Sequence, residues 1–310
     1  MTTIEVDIDR YGSLARASCL ADFLEILILH GEKSSFADLA DLVADKFGRK
    51  QQILLMEEEE KDDDDEDGDD FSYADAVVAC VRERVSQLGV HYPFVDLGTT
   101  IALRSGLDPL ESPYLCLLGI TALHAYGVPC PHDVTQIFES VVTSCLRRKG
   151  YRASDVGDLS RKNGSDFGAT TVALGAALGV EMNHRAVPRR KAANDGGIDV
   201  LAFVDWEDGR LGRWVLIGQA TCGSSNDWES KAGEPSLATW RKIMGEVLDP
   251  TVFLAVPHHV DLEVLRYLSA RLSKAVLDRV RLTRMVGPFD STLRSVTQSL
   301  LDASVQSLRV

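Results

Sequence analysis

No stretch of this 310-residue chain is apolar for long enough to cross a bilayer as a helix. A spanning helix needs roughly 20 consecutive apolar residues, and the longest runs, such as Phe23 to Leu29 with Glu25 inside it, are far shorter. The stretch Met1-Thr2-Thr3-Ile4-Glu5-Val6-Asp7 lacks the basic-then-apolar pattern of a signal peptide. A cytoplasmic protein with no membrane partner is expected. Cysteine is sparse: Cys19, Cys80, Cys116, Cys130, Cys145 and Cys222 form no Cys-x-x-Cys pair and mostly sit among apolar neighbours. That excludes a disulfide framework or a zinc knuckle and reads as reduced core thiols. Also missing is any Gly-x-x-x-x-Gly-Lys-Ser/Thr, the backbone cradle of the P-loop.

Excess positive charge is missing too, and the net charge of −14 argues at first against a nucleic-acid partner. The argument fails on distribution. Residues Glu57 to Asp70 hold twelve acids and one lysine, a local charge of −11, which leaves about −3 for the rest. Such a run cannot build a core and reads as a disordered linker over 57–72, or as a carboxylate mimic able to lie in a basic groove. Elsewhere, basic clusters stand at Arg147-Arg148-Lys149, Arg161-Lys162, Arg189-Arg190-Lys191 and Arg279, Arg281, Arg284.

Hydrophobic periodicity divides the chain into a helical segment (1–56), a helical scaffold (73–130), a main domain (131–287) and a C-terminal helix (288–310). Helical patterns cover Ser13 to His30, Ser35 to Phe47, Tyr73 to Leu88 and Pro113 to Tyr126. Asp133 is a good N-cap for a helix whose Phe138, Val141, Val142, Cys145 and Leu146 form one apolar stripe, and Gly150 ends it. A small-residue helix at Phe167 to Leu178 and a short strand at Val180 to Ala186 follow. Asn226-Asp227 starts a short helix carrying Trp228 and Lys231; Thr251 to Val256 is a buried strand; Asp261 caps a helix running to about Met285. A terminal helix covers Pro288 to Ser307. Helix, strands, short helix, strand and helix make an α/β sandwich with a mixed central sheet, preceded by a mostly helical N-terminal region.

The densest information lies in Asn194 to Thr221, two arms rich in Val, Ile and Leu around Glu207-Asp208-Gly209-Arg210, a hairpin signal. A turn centred near Gly209 sets Asp199 opposite Gln219. Strand side chains repeat with period two, so Asp199, Gln219 and Thr221 fall on one face of apolar strands. An acid and an amide in that setting need a chemical reason.

Phe138-Glu139-Ser140-Val141-Val142, Leu146 to Tyr151, Gly197-Ile198-Asp199-Val200 and Gly218-Gln219-Ala220-Thr221 together resemble the PD-(D/E)XK restriction-endonuclease-like superfamily, in its Mrr-type branch. The resemblance covers about residues 131 to 260. It implies a restriction-endonuclease-like sandwich in which a helix glutamate, a second-strand aspartate and a third-strand Gln-x-Lys surround Mg²⁺ or Mn²⁺. Glu139, Asp199 and Gln219 take those places as metal ligands and catalytic groups. Thr221 stands where the family has lysine, and Lys231, on the next short helix, is the candidate replacement. The implied function is metal-dependent cleavage of DNA rather than RNA within a bacterial anti-phage system, with partner subunits supplying recognition or ATPase activity. The alternative is a nuclease-fold subunit that binds DNA or assembles a complex without cutting.

Hard oxygen donors suit that chemistry independently of the name, because phosphodiester hydrolysis needs a cation to polarise phosphoryl oxygen and acidify water. A nearby lysine stabilises the developing charge. Two weaker readings compete: His258-His259 as a zinc site, and Cys222 as a nucleophile served by one of those histidines.

Overall fold

The computed structural model describes residues 3–31, 35–36, 73–187, 196–287 and 290–309. Apart from Ser35 and Phe36, the helix expected to Phe47 lies outside them, as do the acidic run, Arg189-Arg190-Lys191 and Asn194-Asp195. In chain order the described elements are β1 (Thr3–Asp7), α1 (Arg16–Leu29), α2 (Tyr73–Leu88), β2 (Phe94–Asp96), β3 (Ile101–Leu103), α3 (Pro113–Ala125), α4 (Val134–Arg148), β4 (Arg152–Asp155), α5 (Val156–Lys162), α6 (Phe167–Leu178), β5 (Val200–Phe203), β6 (Val215–Ala220), α7 (Trp228–Gly233), α8 (Leu237–Met244), β7 (Thr251–Ala255), α9 (Leu262–Leu272), β8 (Ala275–Leu277), α10 (Arg279–Thr283), α11 (Ser291–Asp302) and β9 (Ser304–Arg309).

The centre is a five-stranded mixed sheet in the order β4-β5-β6-β7-β8. Its first three strands are antiparallel neighbours and its last three are parallel. Two small sheets pair β1 with β9 and β2 with β3. Alternation along β5 sends Val200 and Ala202 to one face, Leu201 and Phe203 to the other. The first face joins a core that runs without a break from Tyr11 and α1 through α3 and α4 to Val296 and Leu300 of α11. The second packs against Phe167 and Leu174 of α6 and Trp240 and Ile243 of α8. Helices therefore cover both faces of an α/β sheet, as expected.

Caps set the helix starts. Asp133 accepts the amides of Thr135 and Gln136 ahead of α4, Asp155 that of Asp158 in α5, and Asp261 that of Val264 in α9.

Four expectations are corrected. Val180 to Ala186 is not a strand: its last three residues make a 3₁₀ turn, with Asn183 bonded through its amide to Ile243 O. The helix begun by Asp261 stops at Leu272, because Ser273 turns left-handed (φ 53°) and frees the chain to add β8 beside β7. The terminal helix stops at Asp302, since 304–309 lies parallel to β1. Arg279 is no surface cation; it is fully buried and bidentate on Asp22, at 2.6 and 2.7 Å.

That last pair belongs to a buried network tying the N-terminal helices to the sheet. Arg84 of α2 lies 2.9 Å from Asp22 and 2.6 Å from Glu25, both on α1, while the hydroxyls of Tyr92 and Tyr114 donate to Glu25. The two guanidiniums hold Asp22 down to about 2 against its burial, whereas burial raises Glu25.

Candidate active site

The hairpin register is the one read from the sequence: Val200 faces Gly218, Leu201 Ile217, Ala202 Leu216 and Phe203 Val215. Asp199 itself lies one residue before β5 and departs from regular alternation. Its amide reaches back to Gly218 O at 2.9 Å, and Ile198 packs in the same core as Leu201, three residues on, instead of alternating with it. The cause is the glycine pair ahead of it. Gly196 (φ 66°) and Gly197 (φ 72°) both adopt left-handed backbone, and a β-carbon on Gly197 would stand 2.4 Å from Glu234 O at the end of α7. The chain thus enters the strand twisted, and the Asp199 carboxylate turns into the ladder: Oδ2 accepts the Ala220 amide at 2.9 Å, the place of a backbone carbonyl. The Asp199 carbonyl in turn accepts the first amides of α5, Val156 at 2.7 Å and Gly157 at 3.3 Å.

Glu139 comes to the same place from α4. It is buried, and its Oε2 would lie only 2.6 Å from a β-carbon on Gly157, so α5 and α4 meet through that glycine. Arg161 of α5 approaches Oε2 to 2.8 Å as an ion pair, in a geometry that makes no hydrogen bond. Burial raises the Glu139 pKa, and Arg161 works against it. Asp155, next to it through Ser140, is also raised by burial. The buried Cys222 thiol, just past β6, is pushed far up by burial and then by Glu139, Asp133 and Asp199. Burial thus keeps the thiol protonated and removes Cys222 as a nucleophile.

Gln219 is buried, but alternation along β6 puts it on the Val215 and Ile217 side, away from the α4 face. Asp199, in the plane of the sheet, stands between the two faces. Thr221 caps the turn after β6, its hydroxyl accepting the Gly223 amide at 3.1 Å. Lys231 sits on α7, half exposed, with Nζ 2.9 Å from Glu234 Oε1. Because Glu234 O abuts Gly197, that ion pair lies at the end of the sheet where Asp199 begins β5. The sequence reading missed Arg161, Asp155 and Gly157. Asp155 and Gly157 show only as Asp-x-x-Asp at the start of a helix, which looks like ordinary capping, and Arg161 only as part of the basic pair Arg161-Lys162.

The histidine pair is structural. His258 and His259 are fully buried with pKa values driven down, and His258 packs edge-on to Tyr11 and Trp228. Among the described residues no three His, Cys, Asp or Glu side chains converge to cage a metal by themselves. Within them no helix is long and apolar enough to cross a membrane. No family model, no curated protein and no solved structure matches the chain.

Proposed function

We propose that this chain is a metal-dependent nuclease of restriction-endonuclease-like fold that hydrolyses phosphodiester bonds, in DNA before RNA. The observation that carries the reading is that both acids border the first turn of α5: the Glu139 carboxylate, from the helix ahead of the first sheet strand, abuts Gly157, and the Gly157 amide bonds the main-chain carbonyl of Asp199 at the start of the second. A helix acid, a second-strand acid and a third-strand amide is the order the PD-(D/E)XK resemblance implies.

The donors fit Mg²⁺ or Mn²⁺. They are hard oxygens, and Glu139 Oε2 is buried and answered by the Arg161 guanidinium at 2.8 Å. Magnesium keeps several waters and takes only one or two protein carboxylates, so a two-acid site suffices. Asp199 and Glu139 would hold the ion, with Gln219 as a third donor, the least well placed of the three. Bound there, the ion polarises the phosphoryl oxygen and acidifies water. The chain's own part is positional. Ala220 fixes Asp199 Oδ2, and Gly157 lets Glu139, the buried one of the two acids, approach. Lys231 would supply the charge that Thr221 lacks, after parting from Glu234. The resemblance adds a setting: a host-defence assembly in the cytoplasm whose partner subunits recognise DNA or drive translocation.

A second reading has its own observation. Thr221 serves as a turn cap and Lys231 is engaged by Glu234, which suits a nuclease fold that binds DNA or partners without cutting. One experiment decides. Purified chain is incubated with plasmid and single-stranded substrates in Mg²⁺, Mn²⁺ and EDTA. Metal-dependent cutting that vanishes in Asp199→Asn supports the nuclease; no cutting, or cutting indifferent to Asp199, sinks it.

A further inference from the structure

At the end of the sheet opposite Asp199, the tip of the β5–β6 hairpin, the end of α8 and the segment after α6 line an open cavity of about 880 Å³. That is ample for a small-molecule ligand, such sites holding roughly 300 to 1,000 Å³. Six residues of extended chain separate Asp205 at its wall from Asp199, about 20 Å at 3.3 Å per residue. The cavity is therefore distinct from the candidate active site.

Its lining is unusual in one respect. Trp206 is 47% exposed there and packs edge-to-face on Trp214, itself 60% exposed, with ring centroids 5.2 Å apart. Two indoles left in water forgo burial worth about 25 cal/mol per Å² of apolar surface. Exposed indole surface lining the same cavity as guanidinium groups is the composition on which nucleobases stack.

The charges sort themselves. Arg152 lies 2.5 Å from Asp205, and Arg213 is held at 2.5 Å by the buried Glu246, its guanidinium 5.1 Å from the Phe203 ring. Arg210 is loosely placed, 4.0 Å from Asp208, with both side chains open to solvent. Arg185 is exposed and makes no ion pair with any described residue. An anion entering the cavity thus meets two available guanidiniums, while carboxylates on the wall can accept from amino or hydroxyl groups.

We propose that this cavity binds a nucleotide unit, its base against Trp206 and its phosphate on Arg185 and Arg210. The unit comes either from a single strand of nucleic acid or from a free nucleotide. This inference does not depend on cleavage at Asp199.

The test uses the full chain in EDTA, so that nothing is cut. A fluorescently labelled single-stranded 12-mer is titrated by anisotropy, with AMP and ATP as competitors. The 12-mer binds; Trp206→Ala weakens it about 5- to 100-fold, Trp206→Phe largely restores it, and Arg185→Glu weakens it and lowers the salt slope by about one. Displacement by millimolar AMP or ATP identifies the free nucleotide as the source, and resistance to both identifies the strand. The proposal is overturned if neither ligand binds, or if Trp206→Ala and Arg185→Glu bind as tightly as the parent. Self-association lost in Trp206→Ala without nucleotide binding overturns it equally, in favour of a protein contact.

Discussion

The Asp199 carboxylate and the Ala220 amide share a 2.9 Å hydrogen bond that closes the β5–β6 ladder with a side chain where a backbone carbonyl would stand. Fold and chemistry are joined in that bond. Removing the acceptor as Asp199→Ala should cost about 1.5–3 kcal/mol, the range for hydrogen bonds to charged groups. Asp199→Asn can still offer an oxygen and should melt within a few degrees of the parent while losing all metal-dependent cutting. Paired melting curves and nuclease assays check both; an Asn variant that cuts normally would remove Asp199 from the site.

Gly157 should be intolerant of a side chain for a reason specific to Glu139. A β-carbon there would meet Oε2 at 2.6 Å. Gly157→Ala is expected to destabilise by about 1–3 kcal/mol, as overpacking does. In the Glu139→Ala background most of that penalty should disappear. A double-mutant cycle by urea denaturation measures it, and additive effects would mean that the two do not touch in solution.

Lys231 and Glu234 are each about 40% exposed, so their 2.9 Å pair contributes little to folding. Lys231→Ala should change stability by no more than about 1 kcal/mol. If Lys231 is the catalytic cation, the same variant loses cutting by two or more orders of magnitude. Stable protein with undiminished cutting would hand the role to another cation, with Arg161 first in line.

Acid should weaken the fold earlier than carboxylates alone would cause. Burial, helped by Arg279, holds His258 at about 3, far below its ordinary value, and His259 is lowered in the same direction. The folded state prefers the neutral ring. Its contribution is complete above about pH 6.5 and is lost as pH falls from there toward 3, with a slope of about 1.4 kcal/mol per pH unit at most. Asp22, held near 2, adds its own loss only below about pH 4, while Glu25, raised by burial, acts in the opposite sense. The comparison that isolates the histidine is His258→Phe, which keeps the ring contacts with Tyr11 and Trp228. Its urea midpoint should fall less than the parent's between pH 7 and 5; parallel slopes would contradict the assignment.

Much of the frame was legible. The α4 stripe, the hairpin offset and the caps Asp133 and Asp261 are local or two-strand properties, set by periods of 3.6 and 2 and by backbone amides near the cap. What failed was short or polar. β4 (Arg152–Asp155) carries one apolar residue, Ala153, and β8 (Ala275–Leu277) is three residues joined to a helix by a left-handed serine, so neither offers a pattern to read.

The sequence by itself determined that a helix, a hairpin and a buried strand form an α/β layer, and that β5 and β6 pair with Val200 opposite Gly218. Only the tertiary structure decided that Asp199 turns into the ladder at Gly196-Gly197, that Glu139 abuts Gly157 beside the Asp199 carbonyl, and that Gln219 looks to the other face. The buried pairing of Arg279 with Asp22, 257 residues apart, is likewise invisible in the chain. Periodicity reports which way a side chain points along its own element; which charge it meets depends on contacts between elements, and those leave no local trace.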